Sequence, residues 1–189
     1  MGGIDLFLNY LSRSSFITIV VLVWLSIYFI ISFTILFSRM AGLSKWQKRE
    51  QSALESLLMG SKILPTDASL RKCATGEVTR AKLNVCLSLA EKNATSGLAW
   101  LSIIASTSPF IGLFGTVISI LETFSGLGNG SNASLGIIAP AISEALVATG
   151  AGIFVAIPAY TFNLLIKRRS YELMGTLERQ ADVLISMKE

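Results

Sequence analysis

Three stretches of this chain run long enough without charge to force a choice of solvent: Phe16 to Phe37, Leu98 to Leu121, and Ile137 to Ile166, the last interrupted only by Glu144. Crossing roughly 30 Å of hydrocarbon takes about 20 helical residues at about 1.5 Å each, and every one of the three meets that length. A chain of 189 residues with 52% hydrophobic and 15% charged residues is also too apolar for a soluble domain. The first stretch is too long for a signal peptide and no small-x-small cleavage pattern follows it, so it reads as a retained helix. The expected fold class is therefore an all-α integral membrane protein with three transmembrane helices.

The formal charge of +4 raises the question of a nucleic-acid partner, and the placement of the cations answers it. Ten of the sixteen Lys and Arg lie between Arg39 and Lys92, five between Lys167 and Lys188, and Arg13 precedes the first span. None falls between Lys92 and Lys167, so the short loop at 125–136 is the segment that crossed. The expected order is a short outer N-terminus (1–15), span one (16–37), an inner helical loop (38–97), span two (98–124), an outer loop (125–136), span three (137–166) and an inner C-terminal helix (167–189). A basic balance distributed this way anchors a membrane protein and requires no nucleic acid.

The inner loop repeats apolar residues at helical spacing, at Trp46, Ala53, Leu54, Leu57 and Leu58, then at Val78, Ala81, Val85 and Leu89. Ser44 suggests an N-cap, and Gly60 with Pro65 a break between two helices. Tyr171, Met174, Leu177, Ala181 and Leu184 continue a stripe beyond span three. Spans two and three are thus expected to extend into a cytoplasmic helical bundle with the loop helices. Cys73 and Cys86 lie in this charged region without CxxC spacing, and the chain has no histidine, so they read as reduced thiols and no metal site is expected. The outer loop holds Asn129-Gly-Ser and Asn132-Ala-Ser, which match the glycosylation pattern but matter only in a eukaryotic secretory compartment.

Stepping span two at 100° per residue gathers Ser108, Gly112, Gly115, Thr116, Ser119 and Thr123 on one face, opposite Phe110, Leu113, Phe114, Val117, Leu121 and Phe124. Span three places Ala141, Ala145, Ala148, Gly152, Ala156 and Ala159 on a small face, flanked by Glu144 and Thr149, with Ile142, Leu146, Ile153, Phe154 and Ile157 opposite. Span one has Val, Leu, Ile and Phe on every side, with Trp24 and Tyr28 among them, and reads as a peripheral helix facing mostly lipid. Close packing accounts for the small faces, and most of the hydroxyls read as bonding back to their own backbone. It does not account for Glu144, because a carboxylate inside a span costs about 2.5 kcal/mol or more and marks a functional site by default. No second deep carboxylate, histidine or intramembrane base accompanies it, which leaves a proton route incomplete without another subunit and argues against an enzyme.

SPFIGLFGTV, Ser108 to Val117, and APAISEALVATGAGIFVAIPA, Ala139 to Ala159, resemble the paired signature helices of the ExbB and TolQ proteins. The resemblance covers roughly the C-terminal half, and the short N-terminal tail looks more like TolQ than like long ExbB forms. It implies a homo-pentamer around the transmembrane helices of a dimeric ExbD- or TolR-like partner, whose intramembrane aspartate carries the proton. Thr116 and Thr149 would line the pore beside that aspartate, with Ser108, Gly112, Ser119 and Thr123 on the same pathway and Glu144 contributing to proton passage. Gly115, Ala141, Ala145, Ala148 and Gly152 would pack the helices. The work would reach a TonB- or TolA-like protein acting on the outer membrane, driven by the proton-motive force at a bacterial inner membrane, with no cofactor. A flagellar-stator relative of the MotA kind would have four spans, and a passive scaffold or small-solute carrier would leave Glu144 without a role or show inverted repeats.

Overall fold

The computed structural model describes residues 16–61, 64–76, 78–128 and 135–187. They form five helices: α1 (Phe16–Leu58), α2 (Arg71–Ala74), α3 (Arg80–Ala94), α4 (Leu98–Gly128) and α5 (Leu135–Ser186). No strand occurs among the described residues. Three of the helices, α1, α4 and α5, are long and apolar enough to cross a membrane. The N-terminal tail expected at 1–15 and both glycosylation patterns lie outside the described residues.

The chain divides into two compact units. One comprises residues up to Thr34 together with Trp100–Thr161; the other comprises Ile35–Ala99 with Phe162–Glu189.

In the first unit, Thr18, Val21, Leu25 and Ser32 form a buried stripe on α1, while Val20, Val23, Trp24, Ile27 and Ile30 on its other sides are exposed. Exposed residues outnumber buried ones on this helix, yet it has an inner face that the sequence reading did not separate from the rest. Val21 and Leu25 share a core with Ile104 of α4 and with Ala148, Val155 and Ala159 of α5. Phe29 stacks on Phe154, with ring centroids 5.7 Å apart and planes inclined by 21°.

In the second unit the sequence expectations need three corrections. Ser44 caps nothing, because α1 is continuous across it; charge begins near Arg39, but no residue there breaks a helix. The break expected at Gly60 does occur. Gly60 adopts φ 92°, its N–H bonds to Leu57 O at 3.0 Å and that of Ser61 to Ser56 O at 3.1 Å, which satisfies the last carbonyls of α1 in a left-handed cap.

The second correction concerns α3, whose inward residues are Leu83, Ala90 and Ala94, whereas Val85 and Leu89 are exposed. Both sets have helical spacing, and periodicity alone could not choose between them. Third, Cys73 and Cys86, expected as separate reduced thiols, are paired in this structure by a disulfide joining α2 to α3.

Buried polar contacts tie the second unit together. Glu50 is fully buried; its Oε1 accepts from Trp46 Nε1 at 3.0 Å, Ser69 N at 3.0 Å and Ser69 Oγ at 2.6 Å. Gln180 Nε2 donates to the Glu50 carbonyl at 2.6 Å and to Oε2 at 3.1 Å. At the end of α3, Ser170 Oγ donates to Ala94 O at 2.8 Å, satisfying a carbonyl that the helix itself leaves open.

Candidate functional site

Backbone proximity between α4 and α5 organises the site. Gly112 and Gly152 are buried where the two helices meet, and the small faces around them let the main chains approach closely. Gly115, one turn on, lies against Ala148 and Val21. Ala145, Ala148 and Ala159 are fully buried, Ala156 nearly so, and Ala141 is half-buried.

That proximity brings Thr116 of α4 across to α5. Its Oγ1 donates to Ala145 O at 2.8 Å and lies 2.6 Å from Thr149 Oγ1, so the two threonines are hydrogen-bonded to each other. Thr116 is buried and Thr149 half-buried. Ser108 is also buried, and its hydroxyl bonds back to Ile104 O at 2.6 Å.

Ser119 and Thr123 are not part of this pair. Thr18 of α1 donates to Ser119 Oγ at 3.5 Å, and Thr123 bonds back to Ser119 O at 2.9 Å. Thr18 was missed by sequence reasoning, although it is the hydroxyl that opens the i, i+3, i+7 series Thr18, Val21, Leu25 on the buried side of α1. Glu144 is half-buried on α5, five residues before Thr149 and hence about 7.5 Å from it along the axis. Glu122 is exposed, near the end of α4.

Away from this contact, Phe110, Phe114 and Val117 of α4 and Leu146, Ile153 and Ile157 of α5 are exposed. Among the described residues no group of His, Cys, Asp or Glu could hold a metal ion. The polar contacts between α4 and α5 are made by hydroxyls, backbone carbonyls and the Asn163 amide, which donates to Leu98 O at 2.8 Å, and none of these provides a nucleophile and base pair.

Fold and site together define a multi-pass α-helical membrane protein whose spans meet on small and hydroxylated residues. Residues 48–179 match the MotA/TolQ/ExbB proton channel family, and the chain belongs to that family. Proteins of this family are channels and not enzymes. Over 188 residues it is 42% identical to a Helicobacter pylori protein described as biopolymer transport protein ExbB-like 1, covering 98% of this chain and all of the relative. It is 42% identical over 105 residues to the Tol-Pal system protein TolQ of Pseudomonas aeruginosa, covering 56% of this chain and 45% of that one. With the biopolymer transport protein ExbB of Neisseria gonorrhoeae the identity is 51% over 63 residues, 33% of this chain and 29% of the relative. The full-length likeness is thus to an ExbB-like protein while the TolQ likeness is partial, so the short N-terminal tail does not decide between them.

Proposed function

We propose that this chain is the channel-forming subunit of an inner-membrane motor driven by the proton-motive force. Five copies surround the transmembrane helices of an ExbD- or TolR-like dimer, and the work goes to a TonB- or TolA-like protein acting on the outer membrane. The N-terminus is periplasmic, the loop at 38–97 and the C-terminus are cytoplasmic, and the basic-residue distribution supports that orientation.

The observation that carries the reading is the Thr116–Thr149 pair, 2.6 Å apart between two spans, with Glu144 on the same helix as Thr149. Hydroxyls can bond to a carboxylic acid or to a carboxylate, so they suit a wall along which a partner's acidic group passes in either state. This subunit supplies the wall, and the partner supplies the titrating group. Ser108, Gly112, Ser119 and Thr123 extend the same pathway.

Native mass spectrometry of the protein co-expressed with its genomic neighbours tests the assembly. The expected result is a ring of five holding two copies of a small single-span protein. A monomer, or an empty ring under conditions that preserve other membrane complexes, would overturn it.

A further inference from the structure

The Cys73–Cys86 disulfide closes a short loop between α2 and α3, with Cα atoms 6.5 Å apart. It lies in the stretch holding ten of the sixteen Lys and Arg, the side of the membrane where thiol buffers keep cysteines reduced and disulfides that do form are transient. A pair already positioned to bond in that compartment has two accessible states. We propose that Cys73 and Cys86 are a reversible thiol–disulfide couple that fastens and releases the segment between α2 and α3. The proposal rests on the cytoplasmic placement of the loop given under Proposed function.

The two sulfurs are not equally accessible. Cys73 is buried, whereas Cys86 is half-buried and lines a cavity of about 560 Å³, a volume within the range of small-molecule sites. Arg71 and Lys72 line the same cavity, and no carboxylate does. Neither cation has a salt bridge among the described residues. The cavity is therefore suited to admit a small carboxylate-bearing thiol or disulfide, the class to which glutathione belongs, and to present it to Cys86.

The exchange balances. To close the bond, the Cys86 thiolate attacks one sulfur of the small disulfide and expels one small thiol. The Cys73 thiolate then attacks the Cys86 sulfur of the mixed disulfide and expels the second. Two electrons pass from the cysteine pair to the small disulfide, and the two protons shed by the cysteines end on the two released thiols. Opening is the reverse, with two small thiols as reductant.

The segment moved is limited by its neighbours. Ser69 is held to Glu50 by two hydrogen bonds that do not involve sulfur, and Leu70 is fully buried. Beyond Leu70 the backbone of α2 still bonds to Leu70 O, and Lys82 Nζ still donates to Thr75 O at 2.7 Å, so opening the disulfide loosens chiefly the exposed turn at Gly76.

The test is thiol trapping on the full chain in cells. Free thiols are capped at quench, oxidised ones are reduced and tagged with a bulky maleimide, and spheroplasts are separately treated with a membrane-impermeant maleimide. The expected result is a mostly capped pair in resting cells, double tagging after a diamide pulse, and return to capping once the oxidant is removed, with impermeant labelling only after permeabilisation. In the Cys73→Ser variant the same pulse leaves a glutathione adduct on Cys86, while Cys86→Ser leaves Cys73 unmodified. A pair inside the cell that stays capped through the pulse overturns the couple and leaves the channel reading intact. A pair that is oxidised without added oxidant, and that the impermeant maleimide labels in intact spheroplasts once a membrane-impermeant phosphine has reduced it, overturns both the couple and the orientation.

Discussion

Gly112 and Gly152 share one crossing point: a Cβ on Gly112 would stand 2.5 Å from Ala148 O, and a Cβ on Gly152 would stand 2.5 Å from Ser108 O. Both obstructions are backbone atoms that no rotamer change can move aside. Gly112→Ala or Gly152→Ala is expected to destabilise the bundle by about 1–3 kcal/mol through overpacking and to separate the threonines one turn away. Gly150→Ala, where nothing lies within 4 Å, is the control and should be neutral or stabilising by up to about 1 kcal/mol. Thermal unfolding of the detergent-solubilised protein measures all three.

Removing one hydroxyl separates function from folding. Thr149→Val preserves shape and leaves Thr116 its bond to Ala145 O, so the loss of stability should stay near about 1 kcal/mol. Energy-dependent function in a complementation assay should nevertheless be abolished. Thr149→Ser keeps the hydroxyl and should retain function; equal activity in the Val and Ser variants would remove the pair from the pathway.

Glu144→Gln should likewise abolish energised function while leaving ring assembly intact, as read by native mass spectrometry beside the complementation assay. Full activity in this variant would return Glu144 to a packing or interfacial role.

Glu50 makes a different prediction, since its carboxylate accepts from Trp46, from Ser69 twice and from Gln180 in a buried setting. Glu50→Ala strands those donors and should cost about 3 kcal/mol or more. Limited proteolysis should then cut the segment around Ser69 faster than in the parent. The exposed Arg80–Asp182 pair at 3.9 Å is the contrasting case, and Asp182→Asn should change stability by less than about 0.5 kcal/mol.

Spans two and three were legible because their two faces differ in volume: glycine, alanine and hydroxyls mark the inside, and phenylalanine, leucine and isoleucine the outside. The inner stripe of α1 was not, because Val21 and Leu25 look no different from Val23 and Ile27, and the hydroxyls do not mark it either: Thr18 and Ser32 are buried while Ser26 and Thr34 are exposed. On α3 two apolar registers compete, and the one containing Leu83 and Ala90 is set by contacts distant in sequence. Glu50 could not be read as buried from a run of charged neighbours such as Lys48 and Arg49, since its donors Ser69 and Gln180 come from later in the chain. The Cys73–Cys86 bond escaped for a similar reason, as spacing says nothing about which cysteines a turn brings together.

The threonine pair also has a polarity. Each hydroxyl has one proton, and the assignment that satisfies both short contacts has Thr149 donating to Thr116 and Thr116 donating to Ala145 O. The sequence ends on a carbonyl, so no proton travels through it. With its hydrogen committed inward, Thr149 offers only lone pairs to whatever approaches from beyond the chain. In that arrangement Thr149 can accept from an acid that still holds its hydrogen, whereas to meet a carboxylate it would have to turn its own hydrogen outward and give up the bond to Thr116.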